Sequence, residues 1–161
     1  MKFAVPKFFA AILVFTLMFT SILAPCAYAA ETSETTTTVT DLGDGLTVTS
    51  TVTVIDSPTR DSSKQVVNKN DYDLNGVWVA TVTLTTVFTY NGMTAGVTSA
   101  TYSKSLASGW SYTNHNLTTT TLSTSSGGKA TLTANLRKNI IANVPVKMFT
   151  HCSPNGTITT D

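Results

Sequence analysis

The chain has 161 residues, of which 42% are hydrophobic and only 12% charged, with a formal net charge of +1 at pH 7. That length suits one domain. A chain this near neutrality lacks the basic footprint of a nucleic-acid binder or of a protein held on anionic lipid.

Positive charge at Lys2 and Lys7 precedes an apolar run at 8–23 that holds no charged residue. Pro25 breaks the run, and Ala27-Tyr28-Ala29 places small residues where a signal peptidase reads. A secretory signal peptide at 1–29, cut after Ala29, is the expectation, and with it secretion to the extracellular space. A retained membrane helix would need a longer run, and a lipoprotein would need a small residue where Pro25 precedes Cys26. Cleavage removes Lys2 and Lys7, which leaves 132 residues with eight basic against nine acidic side chains, a formal net of −1. Only Cys152 then remains, so no intramolecular disulfide can form and the core must supply stability.

Residues 30–40 are rich in Thr and lack large apolar side chains up to Val39, and they read as a flexible tail leading into the first strand. A single domain at 41–161 follows. Asp41-Leu42-Gly43-Asp44-Gly45 is a dense turn signal. Leu46, Val48, Ser50, Val52 and Val54 then alternate with four threonines, a strand closed by Asp56-Ser57-Pro58. Residues 62–73 are polar and read as an edge strand, with Lys64 and Lys69 discouraging edge-to-edge pairing. The central element is 76–90, where Trp78, Ala80, Val82, Leu84, Thr86, Phe88 and Tyr90 form an inward face opposite a Thr-rich one.

Asn91-Gly92 predicts a two-residue hairpin that sets Tyr90 against Met93 and Phe88 against Ala95. A bulge near 96–100 would instead turn Ala100 and Tyr102 inward. Trp110 and Tyr112 share one face of a short strand, and 117–126 is a Thr/Ser run ending at Gly127-Gly128. Ala130, Leu132, Ala134 and Leu136 make another clean alternation. The last strand runs through Val144, Val146, Met148, Thr150 and Cys152, with Pro145 marking an edge or a strand end. Cys152 falls on the apolar parity, so its burial is expected. No stretch of the mature chain has a helical period. Roughly seven or eight short strands with turn chemistry between them predict an all-β fold, a single antiparallel β-sandwich with an immunoglobulin-like or Greek-key order.

Candidate chemistry is sparse. Asp71, Asp73 and Asn75 put oxygens on alternate residues before Gly76, a pattern that suits a hard cation such as calcium. The twelfth position of an EF-hand-like loop would be Val82, however, and the same residues make an ordinary turn into the central strand. The turn is the favoured reading, and no other cofactor is expected. Trp110 and Tyr112 could stack on a sugar, although aromatic residues on strands more often pack a core. No catalytic residue is assigned. Both glutamates fall in the tail, the six aspartates at 41–73 fall in turns or loops, and no motif surrounds a nucleophilic serine. His151 and Cys152 are neighbours on a strand and so point to opposite faces.

The layout of an apolar leader, a Thr-rich tail, then DLGDGLTVTSTVTV, NGVWVATVTLTTVFTYNG and SGWSY resembles small uncharacterised exported proteins of Gram-positive bacteria. The resemblance brings no activity or site residue. The expected function is a secreted, non-enzymatic, cell-surface or extracellular binding or structural module. Its partner would be an extracellular or cell-wall ligand, with neither nucleic acid nor, after cleavage, membrane involved. The alternative is a secreted effector, either a small hydrolase or a bacteriocin-like toxin. Strand order and oligomeric state are not legible at this level.

Overall fold

The computed structural model describes residues 31–57, 62–120, 124–138 and 142–161. The expected leader at 1–29 and its cleavage point lie outside the described residues. Those residues contain no helix and form two antiparallel sheets. The first sheet comprises β1 (Thr32–Gly43), β2 (Leu46–Ser57), β3 (Ser63–Leu74), β4 (Val77–Tyr90) and β5 (Ala95–Leu106). The second comprises β6 (Ser111–Thr119), β7 (Gly128–Lys138), β8 (Ala142–Cys152) and β9 (Ile158–Thr160).

Spatial order follows chain order in both sheets. Each is a meander, without the return connection that lays a fourth strand beside the first. The immunoglobulin-like or Greek-key order expected from the sequence is therefore replaced by two meanders in series. Tight turns are part of the reason. Asp44-Gly45 and Asn75-Gly76 carry positive φ at both positions, the geometry that reverses a strand within two residues and leaves no slack for a crossover.

Strand β4 carries the core. Ala80, Val82, Leu84, Thr86 and Phe88 are fully buried, as their alternation predicts. Trp78 is not part of that face. The pairing sets Trp78 against Asp73 and Ala80 against Tyr72, with Val79 as the extra residue of a bulge. Val79 turns into the core, and Trp78 is left 40% exposed on the outer face. The Val79 carbonyl accepts the Ala107 N–H at 2.9 Å, so the bulge also holds the start of the crossing to the second sheet.

At the other end of β4 the turn differs from expectation. Tyr90 pairs with Ala95 rather than Met93, which makes a four-residue loop. Asn91 Oδ1 accepts the Met93 and Thr94 N–H groups at 3.0 and 2.9 Å, an Asx arrangement that supplants the two-residue turn. A bulge then restores parity, so that Thr86 faces Ala100 and Leu84 faces Tyr102, both packed towards the core.

Two other expectations change. The Thr-rich stretch assigned to a tail is strand β1, exposed along its whole length and paired with β2 from Thr32 to Gly43. Because β1 takes the edge, β3 becomes the third strand of five rather than an edge. Its inner face mixes apolar Val66 and Tyr72 with Asn68 and Asn70, and Asn68 is buried to 1% exposure with neither end of its amide hydrogen-bonded. Pro145 behaves as expected. Strand β9 pairs only with Thr150–Cys152, so Pro145 lies on an open edge where a missing N–H is tolerated.

The sheets pack face to face over β3, β4 and β5. One apolar cluster joins Tyr72, Val82 and Leu84 to Leu132, Leu136 and Met148, and a second joins Val66, Phe88 and Val97 to Ala130 and Cys152. At the β5–β7 side the backbones themselves meet. A Cβ on Gly128 would lie 2.7 Å from the Gly96 carbonyl carbon, so that approach requires glycine. Across the core, buried Thr150 donates its hydroxyl to buried Thr86 at 2.8 Å.

That last bond predicts a specific mutational pattern. Thr86→Val or Thr150→Val alone strands a buried hydroxyl and should cost about 1–3 kcal/mol in denaturant unfolding. The double variant should cost clearly less than the sum of the two. Additive losses would show that the pair is not coupled.

Candidate binding cleft

The second sheet ends in a three-residue strand, so it does not reach across β1 and covers β2 only in part, where Val48 joins the core. Their inner faces border a cleft of about 620 Å³ instead, and the far wall is the segment 155–161. That volume lies within the range of small-molecule sites. The register fixes what lines it. Glu34 pairs with Val54, Thr36 with Val52 and Thr38 with Ser50, and all six side chains border the opening. The floor thus runs from Glu34 and the two valines to the hydroxyls of Thr36, Thr38 and Ser50.

The opposite wall is held by a network of turn bonds. Ser153 N–H donates to the Thr157 carbonyl, and Gly156 N–H to the Ser153 carbonyl, both at 2.9 Å. Gly92 N–H reaches the Pro154 carbonyl at 2.9 Å and ties this turn to the loop after β4. Gly156 has φ +80°, and a Cβ there would meet the Tyr90 ring at 2.5 Å, so only glycine lets the wall seat on Tyr90. Lys64 borders the cleft, 3.2 Å from Asp56 and 5.9 Å from the centre of the Tyr90 ring.

Asp161 closes the segment. Its Oδ1 accepts the Phe149 N–H at 2.8 Å. Burial raises its carboxyl above the ordinary value of 3.8, against the pull of that hydrogen bond and of Lys147 and Lys129. The cleft therefore offers many hydroxyls that donate and accept, two carboxylates and one ammonium, over a narrow apolar strip of Val52, Val54 and Ile158. Such a lining suits a hydroxyl- or amide-rich ligand with little net charge.

The residues singled out from sequence lie elsewhere. Asp71 and Asp73 sit in regular strand β3, and Asn75 is the first residue of the two-residue turn into β4. Asp71 is engaged by Lys69 at 2.7 Å and by the Thr81 hydroxyl. Its pairing along a flat ladder replaces the curled loop that a calcium site needs. Among the described residues no group of three or more His, Cys, Asp or Glu is placed to hold a metal ion.

Trp110 and Tyr112 are both 8% exposed and belong to the shared core, so neither offers a free ring face as a sugar platform. Trp110 borders a separate recess of about 650 Å³ beside Leu42, Leu74 and Val144. Tyr112 stacks on His115 at 5.8 Å with Lys104 4.6 Å from the ring centre. Burial, with Tyr102 and Tyr72 nearby, pushes its phenol up to about 12.

Glu34, Thr36, Thr38 and Asp161 were not expected to act together. The β-branched run 35–40 was compatible with a strand, but nothing in the local sequence linked it to Asp161. No protein-family model, curated protein or solved structure matches this chain.

Cys152 is fully buried, and its thiol points at the Ser153 carbonyl. Burial pushes it up to about 11 from 9.0, with Lys64 opposing. Because the folded value is the higher one, the unfolded chain loses this proton first. Stability should then fall as pH rises from about 9 to about 11, by on the order of 2 kcal/mol. Cys152→Ala should remove the early part of that fall, and Tyr112 with Tyr72, both raised by burial, should account for what remains above about pH 10. The native thiol should resist iodoacetamide at pH 8 and react once urea unfolds the chain. Rapid native labelling would contradict this burial.

Proposed function

We propose that this chain is a secreted, non-enzymatic β-sandwich protein. It acts outside the cell as a binding or structural module, and the open cleft between β1–β2 and the C-terminal segment is its ligand site. The cleft carries the reading. It is large enough for a small ligand, is lined with the hydroxyls of Thr36, Thr38, Ser50, Thr157 and Thr160, and is walled by a segment that glycine and backbone bonds hold in place. The leader read from the sequence supports export. The buried, weakly acidic Cys152 is unsuited to nucleophilic work, since the thiolate is the attacking form. The ligand class inferred is an extracellular or cell-wall molecule rich in hydroxyl and amide groups.

A second reading rests on one observation. Glu34 and Asp161 border the same cleft, and burial raises the Asp161 carboxyl above its ordinary value. An acid and a carboxylate on either side of a polar ligand is the pattern of glycoside hydrolysis. On this reading the protein is a small secreted hydrolase.

One assay separates the two. The protein, expressed with its own leader and purified, is mixed with intact cell walls, spun, and measured in pellet and supernatant. Binding predicts pelleting that Ser50→Trp, which fills the cleft, lowers at least about tenfold in affinity, a change of about 1.4 kcal/mol. Release of reducing sugar that Glu34→Gln or Asp161→Asn abolishes would favour the hydrolase. Neither pelleting nor release would sink both readings.

A further inference from the structure

Trp78 is the largest side chain exposed on the outer face of the first sheet, and its neighbours in register are polar. It stands opposite Asp73, which stands opposite Thr47. The next row places Thr81 opposite Asp71 and Asp71 opposite Thr49. This surface lies on the other side of the sheet from the cleft. The bulge at Val79 is what turns the indole outward, and bulges commonly re-aim a side chain next to a functional site.

The indole is also held. Its N–H donates to Thr81 Oγ1 at 3.0 Å, and the Thr81 hydroxyl donates to Asp71 Oδ1 at 2.5 Å. Lys69 Nζ anchors the other oxygen of Asp71 at 2.7 Å. Each donor in this chain has one acceptor, so the ring is presented in a set orientation and little side-chain entropy remains to be lost on binding.

We propose that Trp78 and the polar rows beside it form a saccharide-binding platform. The indole face stacks on the C–H face of a sugar ring, while Asp73, Thr47 and Thr49 take its hydroxyls. A protein partner fits less well, because a stable protein interface buries on the order of 1,600 Å² around an apolar, aromatic centre. Here one aromatic ring stands among hydroxyls and carboxylates. The carboxylates of Asp71 and Asp73 repel a phosphate backbone, which sets nucleic acid aside. A neutral sugar needs one flat apolar face and a few hydrogen-bonding groups at its rim, and the platform supplies both.

The test uses the purified protein and a panel of soluble probes: oligomers of glucose, oligomers of N-acetylglucosamine, and muropeptide-free glycan strands. Of the two tryptophans, Trp78 is exposed and Trp110 buried, so a bound sugar should quench and blue-shift emission through Trp78. Trp78→Ala should lower affinity for the responding probe at least about tenfold with the thermal midpoint unchanged. Asp73→Asn should weaken it by a smaller factor, and Ser50→Trp in the cleft should leave it intact. A panel that neither shifts emission nor is retained by the immobilised protein overturns the proposal. So does a Trp78→Ala protein that binds as well as the parent.

Discussion

Five alternate side chains of β4, Ala80 to Phe88, set the terms for the rest of the molecule. All are fully buried, and a bulge at each end of the run keeps them so. Side chains on a strand alternate with a period of two, so a shift of one residue would send this entire set to solvent. The bulge at Val79 ends the inward parity before Trp78, and the one opposite Val87 and Phe88 switches β5 from odd to even inward positions, so that Ala100 and Tyr102 follow Ala95 and Val97 onto the core face. Both irregularities protect the same face. The first also lends its carbonyl to the crossing between sheets, so register and topology are joined at one residue.

The asymmetry of the molecule follows from what covers that face. Four strands, one of them only three residues long, cannot cover five. The second sheet sits over β3 to β5, closed at one side by the Gly96–Gly128 approach, covers β2 only in part, where Val48 is buried, and leaves β1 as a wing. The wing has backbone pairing and Thr–Thr hydroxyl contacts, such as Thr35 with Thr53 at 3.1 Å, but β1 contributes no buried side chain. The cleft is the space between this wing and the C-terminal segment. Its polarity reflects its origin, since a surface that no sheet covers has no reason to be apolar.

Much of the fold was legible in the residues. The inward set of β4 from Ala80 onwards, the alternation of 130–136, the burial of Cys152 and the edge character around Pro145 all follow from period-two patterning and from what proline lacks. The strand order did not follow, because periodicity says which face a residue takes and not which strand lies beside it. The edge position of β1 was hidden by its threonines, which serve equally in a tail and in a strand exposed on both faces. Trp78 was assigned to the core because apolar parity was extended one residue too far, and nothing in the local sequence marks the bulge. The cleft was hidden for a further reason. Glu34 and Asp161 lie at opposite ends of the described chain, and only the tertiary arrangement brings them to one opening.

The functional picture depends on β1 being a lightly held wing beside a rigid core. Amide hydrogen exchange, resolved residue by residue on the native protein, tests this most directly, since local openings report local stability. Amides of β4 between residues 80 and 88, together with those of β7, should exchange slowest and only through global unfolding. Amides of β1 should exchange faster by local opening. Protection of β1 equal to that of β4, lost in the same step, would contradict the division into core and wing.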